Sequence, residues 1–234
     1  QKILKRTLSG SALAGSLAGE LLATDYSQHF KIYTDGSKLD GGRVGCAVFY
    51  QPLNIIKRYR LDDNISIMSA ELFAISMALS YVLDFPHQLF QVAIVTDSKS
   101  SLQALESPTG DRQDISLECL HILNTLRNRG TQVDFVWVPS HTNIRGNAVA
   151  DSAAKEAAEL PHITQVIGHT KSEFCKKLRQ TAILKWKNIY NAAAVARSWH
   201  PCDRVTYTAP DSLTTVEISL FHRLRAGYLK FHIR

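Results

Sequence analysis

From Phe30 onward the chain reads as three short apolar strands in close succession, then helix, strand, helix, strand, helix. That order admits few folds, because neighbouring runs joined by short turns pair antiparallel and later strands need helical crossovers. Phe30–Asp35 alternates, with Phe30, Ile32 and Thr34 on one face. Asp40-Gly41-Gly42 turns the chain into Val44–Tyr50, and Pro52-Leu53-Asn54 separates that run from Ile55–Leu61. Met68, Leu72, Ile75, Leu79 and Val82 recur at helical spacing over Met68–Leu83. Gln91–Thr96 reads as a short buried strand, followed by a short helix through Leu105 and a Ser107-Pro108-Thr109-Gly110 loop. Ile115–Arg129 is a second amphipathic helix ended by Gly130. Val133–Val138 is the fifth strand, and Asn147–Leu160 is an alanine-rich helix stopped by Pro161. The expected class is α/β: a mixed five-stranded sheet, antiparallel meander plus parallel strands, flanked by helices.

The expected organisation is a linker or leading segment over residues 1–28, a domain over 29–161, and a basic, mainly helical extension over 162–234. Residues 1–23 hold Lys2, Lys5 and Arg6 before an apolar run broken by Gly and Ser, which reads as a linker rather than a secretion signal. Ser172–Arg197 and Glu217–Arg225 read as helices in the extension. No apolar run approaches the roughly 20 residues of a membrane span, so no membrane partner is expected. The four cysteines are widely spaced with no C-x-x-C pair, which disfavours a thiolate zinc site and points to an intracellular setting, cytoplasm or nucleus.

Charge divides unevenly. Residues 1–160 hold 15 Lys+Arg against 17 Asp+Glu, a net of −2, whereas residues 161–234 hold 12 against 4, a net of +8. A basic extension on a mildly acidic core suits a polyanion, since phosphate neutralisation supplies most non-specific nucleic-acid affinity.

The chemistry lies in the acidic residues. Asp35 and Asp97 each end an apolar run in the same way, with Thr before and a small residue after. Open sheets bind ligands outside the carboxyl ends of parallel strands, so two such strands side by side would bring both carboxylates into one crevice. Glu71 lies at the edge of its helix's apolar stripe, facing the sheet, an expensive place for an unpartnered carboxylate. Asp151 lies in the first turns of its helix, where the dipole favours the ionised form and Asn147 is a candidate cap. Carboxylate oxygens without cysteine suit Mg²⁺ or Mn²⁺ rather than zinc. Two such ions about 4 Å apart activate water and stabilise the departing oxygen of a phosphodiester. Asp35, on the central strand, would bridge both ions; Glu71 and Asp97 would complete the first and Asp151 the second. His141, in a PSHTNIRGN loop ten residues before Asp151, could relay a proton or help product leave.

Each residue alone has a plainer reading. Asp35-Gly36 is a turn signal, Asp97-Ser98 a helix cap, Glu71 and Asp151 charges near helix starts, and His141 a surface loop residue. Five of them in order, each at the appropriate end of its element, favour a site.

IYTDGSK, SAELFAI, IVTDSKSSLQAL and WVPSHTNIRGNAVADSAAKEA together resemble a ribonuclease H domain, especially the non-LTR retrotransposon kind, over about residues 30–160. The resemblance implies the ribonuclease H-like fold and endonucleolytic cleavage of the RNA strand of an RNA–DNA hybrid. It also implies a Mg²⁺-dependent Asp-Glu-Asp-Asp site, carried here by Asp35, Glu71, Asp97 and Asp151 with His141 as helper. Gly36, Ser37 and Ser98 are similar to family residues that touch the substrate backbone. An upstream reverse transcriptase in the same polyprotein is a further implied partner.

Two departures stand out. Ala148 occupies a customarily acidic position in Gly146–Asp151, and the stretch between Leu105 and Ile115 has one Arg and no Lys, so a basic handle is missing. Lys171, Lys176, Lys177, Arg179, Lys185 and Lys187 of the extension are expected to compensate. The alternatives are a DNA strand-transfer, integrase-type enzyme and a non-catalytic nucleic-acid-binding module. The first takes its helical acidic residue after the last strand, unlike Glu71, and the second would lack ligands.

Overall fold

A computed structural model describes residues 11–142, 144–196 and 214–216. The strands are β1 (Phe30–Lys38), β2 (Val44–Tyr50), β3 (Ile55–Leu61), β4 (Gln91–Thr96) and β5 (Gln132–Trp137). They form one sheet in the order β3-β2-β1-β4-β5, which puts β1 at the centre. β1 runs antiparallel to β2, with Ile32 opposite Tyr50 and Lys38 opposite Val44. It runs parallel to β4 from Phe30 beside Val92 to Thr34 beside Thr96, and β4 runs parallel to β5. The mixed sheet is the one expected.

Strand alternation divides the core. On one face Ile32, Val48, Ile94 and Phe135 pack under α2 (Ile67–Asp84) and α4 (Gln113–Asn128). α2 contributes Leu72, Ile75 and Leu79, all fully buried. Each is worth about 1.5–3 kcal/mol, enough together to hold in place a helix that also carries a buried carboxylate. By length and composition alone α2 is apolar enough to cross a membrane, yet here most of it is interior. On the other face Tyr33, Val95 and Val136 meet α5 (Arg145–Glu159), whose alanines lie close against β2. α3 (Lys99–Glu106) follows β4, capped by Ser98, which accepts from the Ser101 backbone N–H.

Three expectations need correction. The leading segment holds a helix, α1 (Ser11–Ala23), whose Ala18 and Leu22 are buried with Val136 and Val138 on the α5 side. Its Gly and Ser residues suggest a linker, but an apolar i, i+4 pair finds a surface to cover. The boundary expected after Pro161 lies further on, since the first compact unit extends through Lys177. The Thr164 N–H donates to the Arg60 carbonyl at 2.8 Å, and Asp62 Oδ2 accepts from the Ile167 and Gly168 N–H groups. Asn147 is no cap: α5 begins at Arg145 after Ile144, and Asn147 is buried inside the helix.

Residues 178–234 form a second unit, to which most of α6 (Lys171–Ala196) belongs. The helix expected at Glu217–Arg225 lies outside the described residues.

Candidate metal centre and active site

Asp35 lies on β1 one residue beyond its last partner on β4, and Asp97 follows the end of β4. Parallel pairing therefore sets the two carboxyl groups side by side. β1 itself runs on past Asp35, because β2 continues to pair with Gly36, Ser37 and Lys38. Glu71 approaches from α2. Only glycine at position 36 allows this, since a Cβ there would lie 2.8 Å from the Glu71 nitrogen and 3.1 Å from its Cγ. Lys38 Nζ donates to the Ile65 carbonyl at 2.7 Å, tying the end of β1 to the entry of α2.

Oxygens from Asp35, Glu71 and Asp97 all lie within 4.8 Å of one another. Asp35 and Glu71 are buried, 5% exposed each, and Glu71 Oε2 has no hydrogen-bond partner in the protein. Burial pushes the Asp35 carboxyl up to about 8, with the charges of Asp97 and Asp151 adding and Lys155 opposing. Glu71 is raised well above the usual carboxylate range, first by burial and then by Asp35 and Asp97; the Gly36 N–H partly offsets this. Three hard anionic donors converging with one oxygen orphaned are costly without a cation and suited to a divalent one. The donor set thus fits the ions that the sequence implies.

Asp151 stands just outside this trio. Its charge is felt at both Asp35 and Glu71, while its Oδ2 accepts from Lys155 Nζ at 2.7 Å. A nearby ion would have to compete with Lys155 for it. His141 is exposed with a left-handed backbone, φ 56°, and lines a cleft of about 1010 Å³ together with Arg145, Tyr33 and α1. Ser37 is buried at the carboxyl end of β1, and Ser98 Oγ lies 2.8 Å from Ser101 Oγ, so Ser98 has the capping role open to it in the sequence.

Three contributors stand outside the residues that the sequence singles out. Trp137 Nε1–H donates to the backbone carbonyl of Asp97 at 2.9 Å. Lys155 leaves a signal in the sequence, as the i+4 partner of Asp151. Arg112, the lone Arg of the stretch without a basic handle, is 3% exposed and turned inward to Ser69 and Glu173.

The chain matches the family model described as RNase H over residues 27–159. It is 35% identical over 129 residues to the Pol polyprotein of Equine infectious anemia virus (strain Wyoming), covering 55% of this chain and 10% of that protein. It is also 35% identical over 129 residues to the Gag-Pol polyprotein of Bovine immunodeficiency virus (strain R29), covering 54% of this chain and 8% of the relative. The chain thus spans about a tenth of the length of the curated relatives it matches. Fold, carboxylate trio and family match agree over one segment, and the chain belongs to the RNase H family.

Proposed function

We propose that this protein cleaves the RNA strand of RNA–DNA hybrids in a reaction that depends on divalent metal, as one part of a larger retroelement polyprotein. The observation that carries the reading is the convergence of Asp35, Glu71 and Asp97 with a buried, partnerless Glu71 oxygen. Asp35, at the centre of the sheet, would be shared between two Mg²⁺ ions, with Mn²⁺ as substitute. Glu71 and Asp97 would complete one site and Asp151 the other. Such ions supply a water nucleophile at neutral pH and neutralise charge on the departing oxygen.

The protein's own residues do the rest. Gly36 leaves room for Glu71 beside Asp35, Lys38 ties the end of β1 to the entry of α2, and Trp137 holds the peptide of Asp97. Lys155 pairs with Asp151 and would have to yield it to an ion. His141, exposed in the loop before α5, would move a proton or assist release. Ser37 and Ser98 would meet the substrate backbone, RNA being told from DNA by its 2′-hydroxyls. The four stretches IYTDGSK, SAELFAI, IVTDSKSSLQAL and WVPSHTNIRGNAVADSAAKEA together carry the finer proposal of a non-LTR element, and an upstream reverse transcriptase goes with it. An intracellular setting goes with it, consistent with free Cys46 and Cys119.

The test is incubation with Mg²⁺ and labelled RNA–DNA hybrid, RNA duplex or DNA duplex, with Asp97→Asn as control. Cleavage of hybrid alone, abolished in the variant, is expected. Nicking or joining of DNA, or binding without cleavage, would replace the proposal with the integrase-type or the non-catalytic reading.

A further inference from the structure

We infer that α1 is a positioning element for the loop that carries His141, acting through a contact that glycine at position 15 makes possible. This rests on the reading above, in which His141 serves the reaction. α1 precedes the segment matched by the family model, which starts at residue 27. It is nevertheless seated on the domain: Ala18, Leu22 and Tyr26 are buried in the same cluster as Val136, Val138 and Ile144. Ile144 immediately precedes α5, so the surface under α1 includes the root of the His141 loop.

The contact itself is tight. A Cβ at Gly15 would lie 2.7 Å from Cγ2 and 2.8 Å from Cβ of Thr142, so the α1 backbone rests directly on that side chain. Thr142 is braced from the other side by its own loop, since its hydroxyl donates to the Pro139 carbonyl at 2.7 Å. His141, its neighbour, holds a φ of 56°, a conformation a residue with a Cβ keeps only when its surroundings fix it. One flank of Thr142 is therefore closed by hydrogen bonding and the other by α1. Without the helix the second restraint goes, His141 can relax toward extended backbone, and its imidazole is no longer held in one place.

A second glycine provides an internal control. Gly19 lines the same cleft, but a Cβ there would meet nothing within 4 Å. Gly15→Ala and Gly19→Ala gain comparable helix propensity, so any difference between them isolates the contact with Thr142. On the full chain, hydrogen exchange over residues 139–146 and steady-state cleavage of hybrid with Mg²⁺ are measured for both variants and the parent. Gly15→Ala is expected to raise loop exchange and to lower kcat about ten-fold at unchanged KM, a misplacement costing part of the roughly 10²- to 10⁴-fold that a placed proton-transfer group supplies. Gly19→Ala is expected to change neither.

Equal loop exchange in the two variants would overturn the inference. Exchange over residues 15–26 separates local push from detachment. If α1 comes off in Gly15→Ala, a loosened loop still supports the positioning role and an unchanged loop refutes it. A parent protein that leaves hybrid intact would refute the proposed function, while the exchange contrast would still decide the role of α1.

Discussion

The indole N–H of Trp137 donates to the main-chain carbonyl of Asp97 at 2.9 Å, across the carboxyl ends of two paired parallel strands. Lys99 Nζ lies over the same ring, 4.1 Å from its centroid. Asp97 has left the β4 ladder, and the indole holds its peptide and so helps set the direction of its carboxylate. Supporting groups of this sort typically change metal affinity by about 10- to 100-fold when removed. Trp137→Phe keeps an aromatic ring at the position and deletes the donor. Titration calorimetry with Mn²⁺ should show about ten-fold weaker binding at a nearly unchanged Tm. Equal affinity would mean that Asp97 is held by other means.

A second prediction concerns pH in the absence of metal. The Asp35 carboxyl is raised from its ordinary 3.8 to about 8 by burial and by the neighbouring acids. A group raised in the folded state contributes stability fully present below its unfolded value and lost as pH rises through the folded value. In EDTA, the parent protein should therefore lose stability between about pH 4 and pH 8. Asp35→Asn should flatten this decline and melt higher at pH 8, by about 3 °C for each 1 kcal/mol recovered. Mg²⁺ should raise the Tm of the parent and not of the variant, because ligands bind only when deprotonated. Differential scanning calorimetry at pH 5 and pH 8 checks both signs. A parent more stable at pH 8 than at pH 5 in EDTA would contradict the burial argument.

How much of this is legible in the sequence follows from what kind of signal each feature leaves. β2, β3 and β4 begin and end where their alternation and turn residues put them, because local pattern and tertiary pairing agree. β1 does not: Asp35-Gly36 signals a turn, but β2 opposite it keeps pairing through Lys38, and the ladder overrides the local preference. Three of four carboxylates meet because strand ends and helix faces are readable from periodicity. The i, i+4 spacing of Asp151 and Lys155 leaves a signal, whereas the hydrogen bond of Trp137 to Asp97 depends on a rotamer that no spacing encodes. α1 and the chain from 162 to 177 depart from expectation for one reason. Their partners are residues far away in sequence, Val138 in one case and Arg60 and Asp62 in the other.

Glu173 supplies a third prediction. Burial works to raise its carboxyl, but donors from Thr170, Ser69 and Ser66 win and hold it at about 2. Oε1 accepts from the Ser66 N–H and the Ser69 hydroxyl at 2.7 Å each, so an α6 side chain caps the helix that carries Glu71. Arg112, 3% exposed, lies 3.3 Å from Oε2. Removing Glu173 takes away the buried anion of that guanidinium, leaving it Ser69, Asp114 and the Ile167 and Gly168 carbonyls, and breaking a buried pair from one side costs about 3 kcal/mol. Glu173→Ala should lower Tm by roughly 10 °C. The depressed carboxyl contributes stability above its ordinary 4.5 that is lost as pH falls through about 2. Parent and Glu173→Gln should accordingly differ at pH 5 and converge near pH 2. Parallel acid-melting curves would show that the network contributes nothing.

The last prediction locates the basic grip on nucleic acid. With Arg112 turned inward, the stretch from Leu105 to Ile115 offers no free cation to a hybrid. The lysines of α6 are largely exposed, but a truncation at the boundary expected from sequence would also delete Glu173 and unfold the start of α2. The informative cut falls after Lys177, where the first compact unit ends. It removes nine Lys and Arg against three acidic residues, a net of +6, and spares Lys171, Lys176 and Lys177. If Arg179, Lys185 and Lys187 bind phosphate, removing each of these cations should flatten the slope of log affinity against log salt by about 0.9. The truncated protein should keep its Tm and its saturating cleavage rate. Its hybrid affinity at 50 mM salt should fall by about ten-fold or more, narrowing toward 200 mM. Fluorescence anisotropy on labelled hybrid across that range decides it. A salt slope unchanged by the truncation would place the grip within residues 1–177, with Lys38 and Lys176 the next cations to replace.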